Sequence, residues 1–196
     1  MVSAALFFAC IVTCGRSLSG RYGAFEIVVL QTSISTLLMV PWLVKGGFAR
    51  LRTRRPTVYG LRAVVAMLAM VSMFFALQTL PVADATALLY SAGLFTVLFA
   101  AIALREAVGV RRWIALLVGF AGALIIIRPG FTEFSWSLAI MMLSALTFGA
   151  ANVFTRFLAT TEDANAVVFY NYFLMGLLAL PPALAEWKMP ELSDAP

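Results

Sequence analysis

Histidine is absent from the 196 residues, and cysteine appears only twice, at Cys10 and Cys14. The missing imidazole removes the usual general base, proton shuttle and commonest transition-metal ligand. The two cysteines stand four apart in an apolar run, where a helix would put them on one face as small apolar-like side chains. No CxxC, HExxH, GxSxG or phosphate-cradling glycine loop occurs. Charge is scarce too: Asp, Glu, Lys and Arg make up 12% of the chain, about half the share in soluble domains. Apolar residues reach 63% and the mean hydropathy is +0.98. A water-soluble domain needs a polar skin that this chain does not have. A soluble enzyme, a disordered tail and a nucleic-acid-binding module are thereby excluded.

The few charges act as punctuation. Uncharged stretches cover 1–15, 27–44, 63–83, 85–104, 113–127, 134–155 and 164–185. A helix crosses the hydrocarbon layer with roughly 20 residues. The 15-residue stretch at 113–127 gains length from 107–110 and from arginines whose charged heads reach the interface. The first stretch has no basic leading segment, so it reads as a spanning helix and not as a secretory signal. Seven helical spans joined by short loops are expected, because lipid leaves helices as the way to pair backbone polar groups. The alternation of a membrane barrel is absent.

Basic residues set the orientation. With a cytoplasmic N-terminus, ten lie in inner loops (Lys45, Arg50, Arg52, Arg54, Arg55, Arg62, Arg105, Arg111, Arg112 and Arg156). Four lie outside: Arg16, Arg21, Arg128 and Lys188. This bias accounts for the net charge of +5. Arg62 heads the third span and reads as a topology anchor that reaches the cytoplasmic surface.

An offset of 140 residues aligns spans one and two with spans six and seven without gaps. It pairs Arg16 with Arg156, Gln31 with Asn171, Pro41 with Pro181, Ala9 with Gly149 and Cys10 with Ala150. Five spans separate the copies, and an odd number inverts the second copy in the membrane. This is the inverted repeat of many secondary transporters. The third span of the first copy begins near Thr57, and adding 140 gives 197, one past Pro196. The expectation is a ten-span protein of which seven spans are present.

The side chains divide into packing and site candidates. Ala115, Gly119 and Ala123, and likewise Ala145 and Gly149, are small residues at helix-contact spacing. Met67, Met70 and Met73 form a stripe suited to adaptable packing. Asp84 fits a helix N-cap, and Glu106 a loop ion pair or cap. Thr86, Tyr90, Gly93 and Val97 share a face of span four, giving a weakly polar stripe. Its hydroxyls either bond back to their own helix or, with Tyr90, wall a pocket. Gln31, Asn152 and Asn171 are amides in apolar spans that need partners and therefore face the bundle interior. They either tie helices together or contact a solute. Gln31, Thr86, Tyr90, Asn152 and Asn171 are the candidate substrate-binding residues. No catalytic, metal or cofactor site is expected.

The stretch 75–130 carries a resemblance. It reads Phe75-Ala76-Leu77-Gln78-Thr79-Leu80-Pro81-Val82-Ala83-Asp84-Ala85-Thr86-Ala87, then Leu104-Arg105-Glu106, Arg111-Arg112-Trp113, Gly119-Phe120-Ala121-Gly122 and Ile127-Arg128-Pro129-Gly130. This resembles the EamA-type domain of the drug/metabolite transporter superfamily. The resemblance implies an all-α, polytopic bundle of two inverted five-helix units, here 1–130 complete and 134–196 partial. It implies an inner-membrane carrier that moves small metabolites or drugs by alternating access, without cofactor or nucleic acid. A homodimer stays open. Gly93, Arg105 and Gln31 depart from the family pattern, which commonly has proline, glycine and arginine there. Two other readings stand beside transport: a non-transporting scaffold or inactive fragment, and a membrane-embedded lipid-modifying enzyme. The enzyme would need clustered acid–base or metal residues, which the sequence does not supply.

Overall fold

A computed structural model describes residues 13–19, 22–46, 51, 53, 55–103, 109–127, 136–185 and 187. Every regular element among them is a helix. Helix α1 is described over 13–19. It is followed by α2 (Ala24–Gly46), α3 (Pro56–Leu77), α4 (Val82–Ala103), α5 (Val110–Ile127), α6 (Trp136–Ala159) and α7 (Ala164–Ala185). Five of them, α2, α3, α4, α6 and α7, are long and apolar enough to cross a membrane, and α5 carries a shorter apolar stretch, Trp113–Gly122. The leading end of the first expected span, with Cys10, lies outside the described residues, as do Arg105 and Glu106.

Local sequence sets several helix ends. Pro56 opens α3, where a missing N–H costs nothing and the fixed φ suits the first turn. Arg16 lies inside α1, not in an outer loop. Its Nη1 donates to the carbonyl oxygens of Leu77 and Leu80, the latter at 2.9 Å. The guanidinium thus satisfies carbonyls left free at the end of α3. Asp84 is not an N-cap: α4 begins at Val82, and Asp84 falls in its first turn. Asp163 takes that role for α7, accepting from the backbone N–H of Asn165 at 2.8 Å.

The centre of the bundle is α3 against α6, flanked by α4 on one side and α7 on the other, with α2 on α7 and α5 on α4. Met73, Phe74, Leu77, Met141 and Met175 fill the main core, and Met67 and Met70 pack against it. Ser144, fully buried, donates to the Ala69 carbonyl across the α3–α6 contact at 2.8 Å. Gly149 lets α6 meet α4: a Cβ there would stand 2.5 Å from Phe95 Cβ and 2.9 Å from the Thr96 nitrogen. Gly176 does the same for α7 on α2, where a Cβ would lie 2.8 Å from Thr32 Oγ1. Small residues thus bring helix backbones together as lipid-embedded contacts require.

The small stripe of α5 differs. Ala115 is exposed and a Cβ on Gly119 would meet nothing within 4 Å, so the stripe has no partner among the described residues; the Ala123 side chain lies outside them. Elsewhere the exposed side chains are strongly apolar, among them Leu37, Leu38, Ile102, Val118 and Leu184. A continuous apolar exterior of this kind suits hydrocarbon and would be a liability in water. The chain is a multi-pass helical membrane protein.

Candidate functional site

The close crossing of α4 and α6 builds the site. With Gly149 against Phe95 and Thr96, Asn152 follows three residues later on the same face of α6. Its Nδ2 donates to Thr96 Oγ1 at 3.3 Å. Thr96 in turn donates back to the Ala92 carbonyl at 2.7 Å. Towards the α4 N-terminus the helices leave a cavity of about 350 Å3, lined by Thr86, Leu89, Tyr90, Ala92, Phe148 and Asn152. Three of the five site candidates, Thr86, Tyr90 and Asn152, therefore come together. Thr86 spends its proton on its own helix, at 2.9 Å from both the Val82 and Ala83 carbonyl oxygens, so its free lone pair is an acceptor. Tyr90 is 79% exposed, an aromatic ring and hydroxyl held out from an apolar helix. The site offers an aromatic face, an amide and a hydroxyl oxygen on apolar walls. Such a surface has the make-up of a pocket for a small solute.

Gln31 and Asn171 do not join this cavity. They lie on α2 and α7, with Gln31 Oε1 and Asn171 Oδ1 buried and without hydrogen-bond partners. Between these helices runs a groove of about 390 Å3. Thr32, Ser33, Thr36 and Leu37 of α2 face it, as do Tyr172, Phe173, Gly176 and Leu177 of α7. Each α7 residue of that set is an α2 residue plus 140, whereas Val29 and Leu180 line the groove without such a counterpart.

Sequence reading misses Arg62. The structure does not leave it at the surface: it is 8% exposed, with Nε donating to Thr155 Oγ1 at 3.0 Å and Nη1 to the Val167 carbonyl at 3.4 Å. A signal exists, because Pro56 marks the helix start and puts residue 62 nearly two turns inside. Tyr59, one turn earlier, is 3% exposed and its Oη has no partner. No group of metal-ligating side chains occurs among the described residues.

Known proteins give the chain a family. The EamA-like transporter family matches residues 1–128. The chain is 28% identical over 179 residues to an S-adenosylmethionine uptake transporter of Rickettsia bellii, covering 91% of this chain and 62% of that protein. It is 28% identical over 194 residues to a riboflavin transporter of Vibrio cholerae, covering 97% and 65%. It is 30% identical over 176 residues to a pseudopaline exporter of Pseudomonas aeruginosa, covering 89% and 62%. The chain spans less than two thirds of the length of these curated relatives. With most of its spans inside the matched region and an all-helical, apolar architecture around them, the chain belongs to the EamA-like transporter family, whose members are transporters and not enzymes.

Proposed function

We propose that the protein is a secondary carrier of the inner membrane that moves a small metabolite or drug-like solute by alternating access. The observation that carries this reading is the convergence of Thr86, Tyr90 and Asn152 on one cavity between membrane-spanning helices. A few polar groups on an apolar wall bind a solute reversibly and release it. Gln31 and Asn171 lie away from this cavity, and their buried amide oxygens, without donors, become acceptors for the solute only once the helices rock apart.

The helices form two oppositely oriented copies of one unit, 1–130 and 134–196. Support comes from the α2–α7 groove, which positions 32, 33, 36 and 37 line together with their counterparts 140 residues on, Thr32 lying against Gly176, the counterpart of Thr36. Antiparallel self-pairing of equivalent positions is what a two-fold axis in the membrane plane produces. The N-terminus is cytoplasmic on this reading, by the weight of basic residues in the loops that the sequence assigns to the inner side. Rocking of one copy on the other about the α2–α7 contact then exposes the cavity to each side in turn. No cofactor takes part in such a cycle.

The names of the relatives supply the first solutes to try. The protein reconstituted in proteoliposomes, offered labelled S-adenosylmethionine, riboflavin and a broad metabolite panel, is expected to give saturable, protein-dependent flux of at least one solute. Movement of none of them above protein-free vesicles would overturn the transport reading.

A further inference from the structure

Arg62 is a cation inside the bundle with no anion beside it. Residue 62 stands roughly 9 Å along α3 from Pro56 at the helical rise. Its two hydrogen-bond acceptors, the Thr155 hydroxyl on α6 and the Val167 carbonyl on α7, are both neutral. Among the described residues no carboxylate forms an ion pair with it. A guanidinium carries five N–H donors in a rigid fork, and three of these are unused. A buried charge left without a counter-charge is costly, and such a residue in a membrane span is retained for a task.

Tyr59 adds the second observation. It lies on the same face of α3, one turn nearer the basic end, and is 3% exposed. Its ring packs on Tyr170 of α7 with centroids 4.8 Å apart, while its buried Oη has no partner. Thr155 gives its own proton to the Ala151 carbonyl at 2.8 Å, so it has no donor to offer. Glu162 and Asp163 lie near enough to act on the Tyr59 hydroxyl through space, but neither accepts from it and neither acts on Arg62, so the positive charge and the unused N–H and O–H groups of this pair are left without acceptors. The complement is an oxyanion, and the guanidinium fork matches the two oxygens of a carboxylate or phosphate.

We propose that Arg62 and Tyr59 form an oxyanion subsite that reads a carboxylate or phosphate group on a small solute. The entering group displaces the Nη1 contact to Val167 first, because at 3.4 Å it is the longer and weaker of the two. The α3–α6–α7 junction then opens where Arg62 had held it. The identity of the group as part of a transported solute rests on the carrier reading above; the subsite itself does not.

The test uses the purified protein in phosphatidylcholine nanodiscs, its melting temperature followed during titration with sodium malate or with inorganic phosphate, against sodium chloride of equal ionic strength. At least one of the two anions is expected to stabilise saturably, and the lower half-saturation distinguishes a carboxylate from a phosphate source. Arg62→Gln is expected to raise the half-saturating concentration by about tenfold to a hundredfold, and Tyr59→Phe by about threefold to tenfold. Arg62→Lys falls between Arg62→Gln and the unaltered protein, since it keeps the charge and loses the fork. Tyr59→Phe deletes one hydroxyl only, so it gives the reading in a folded protein even where Arg62→Gln lowers the starting melting temperature. No stabilisation beyond chloride, or unchanged half-saturation in both Arg62→Gln and Tyr59→Phe, would overturn the subsite. Loss of the titration when phosphatidylglycerol is added to the nanodisc would assign the fork to a lipid headgroup and overturn the solute assignment. Because this readout is binding, its failure is separable from a failure of flux.

Discussion

Gly149→Leu is expected to destabilise the bundle by about 3 kcal/mol, the upper end of the usual overpacking penalty. The new Cβ would stand 2.5 Å from Phe95 Cβ, 2.9 Å from the Thr96 nitrogen and 3.0 Å from the Phe95 carbonyl carbon. Two of those three atoms are backbone, so no rotamer change relieves the clash, and α4 must move off α6. The control is Gly93→Leu. A Cβ on Gly93 would meet nothing within 4 Å, and the cost there is expected to stay below about 1 kcal/mol. Melting in detergent measures both. Equal melting temperatures for the two variants would mean that the α4–α6 contact is not what holds the site.

The second large effect concerns solute movement, not stability. Tyr90→Ala and Asn152→Leu are each expected to lower flux of the carried solute by about tenfold at subsaturating concentration, the loss of one good polar or aromatic contact. Tyr90 is 79% exposed, so truncating it removes little packing, and Asn152 gives up one 3.3 Å hydrogen bond to Thr96 on the exposed side. Stability should therefore change by less than about 1 kcal/mol in each. The double variant is expected to fall short of the product of the singles, since both residues line one cavity. Flux unchanged in both, with protein levels equal, would remove this cavity from the transport path.

The spans are legible in the sequence because lipid imposes a simple rule: charge interrupts, and apolar length crosses. That rule brings α2, α4, α6 and α7 close to their observed ends, and it misplaces α3, because Arg62 sits inside that helix and the uncharged stretch runs past Leu77. It also explains where sequence reading goes wrong. It puts Arg16 and Arg62 in loops or at the surface because a charge normally marks the end of a span. Both instead turn inward, Arg16 to the end carbonyls of α3 and Arg62 to Thr155 and Val167. Neither set of acceptors is visible from the arginine's neighbours in sequence, since each lies 61 or more residues away. The meeting of Thr86 and Tyr90 with Asn152 is likewise beyond a one-dimensional reading. The sequence marks them as polar residues in apolar helices, but the depth of the α4–α6 crossing is fixed by Gly149 against Phe95. The same small-residue spacing recurs on α5 and meets nothing at Gly119, because spacing describes a face and not its neighbour. Gln31 and Asn171 are legible as a repeat-related pair, and whether their buried oxygens meet a solute is a matter for substitution and flux.

The most direct measurement is solute protection at the cavity. Tyr90→Cys is prepared with Cys10 and Cys14 replaced by serine, and its labelling by a water-soluble maleimide is timed with and without the solute that gives flux. Ile102→Cys, on the same helix and outside the cavity, is the reference. Saturating solute is expected to slow labelling at position 90 by about tenfold, in line with occlusion of the site, and to leave position 102 unchanged. Labelling at position 90 that proceeds at the same rate with the solute bound would contradict a solute-binding role for the α4–α6 cavity.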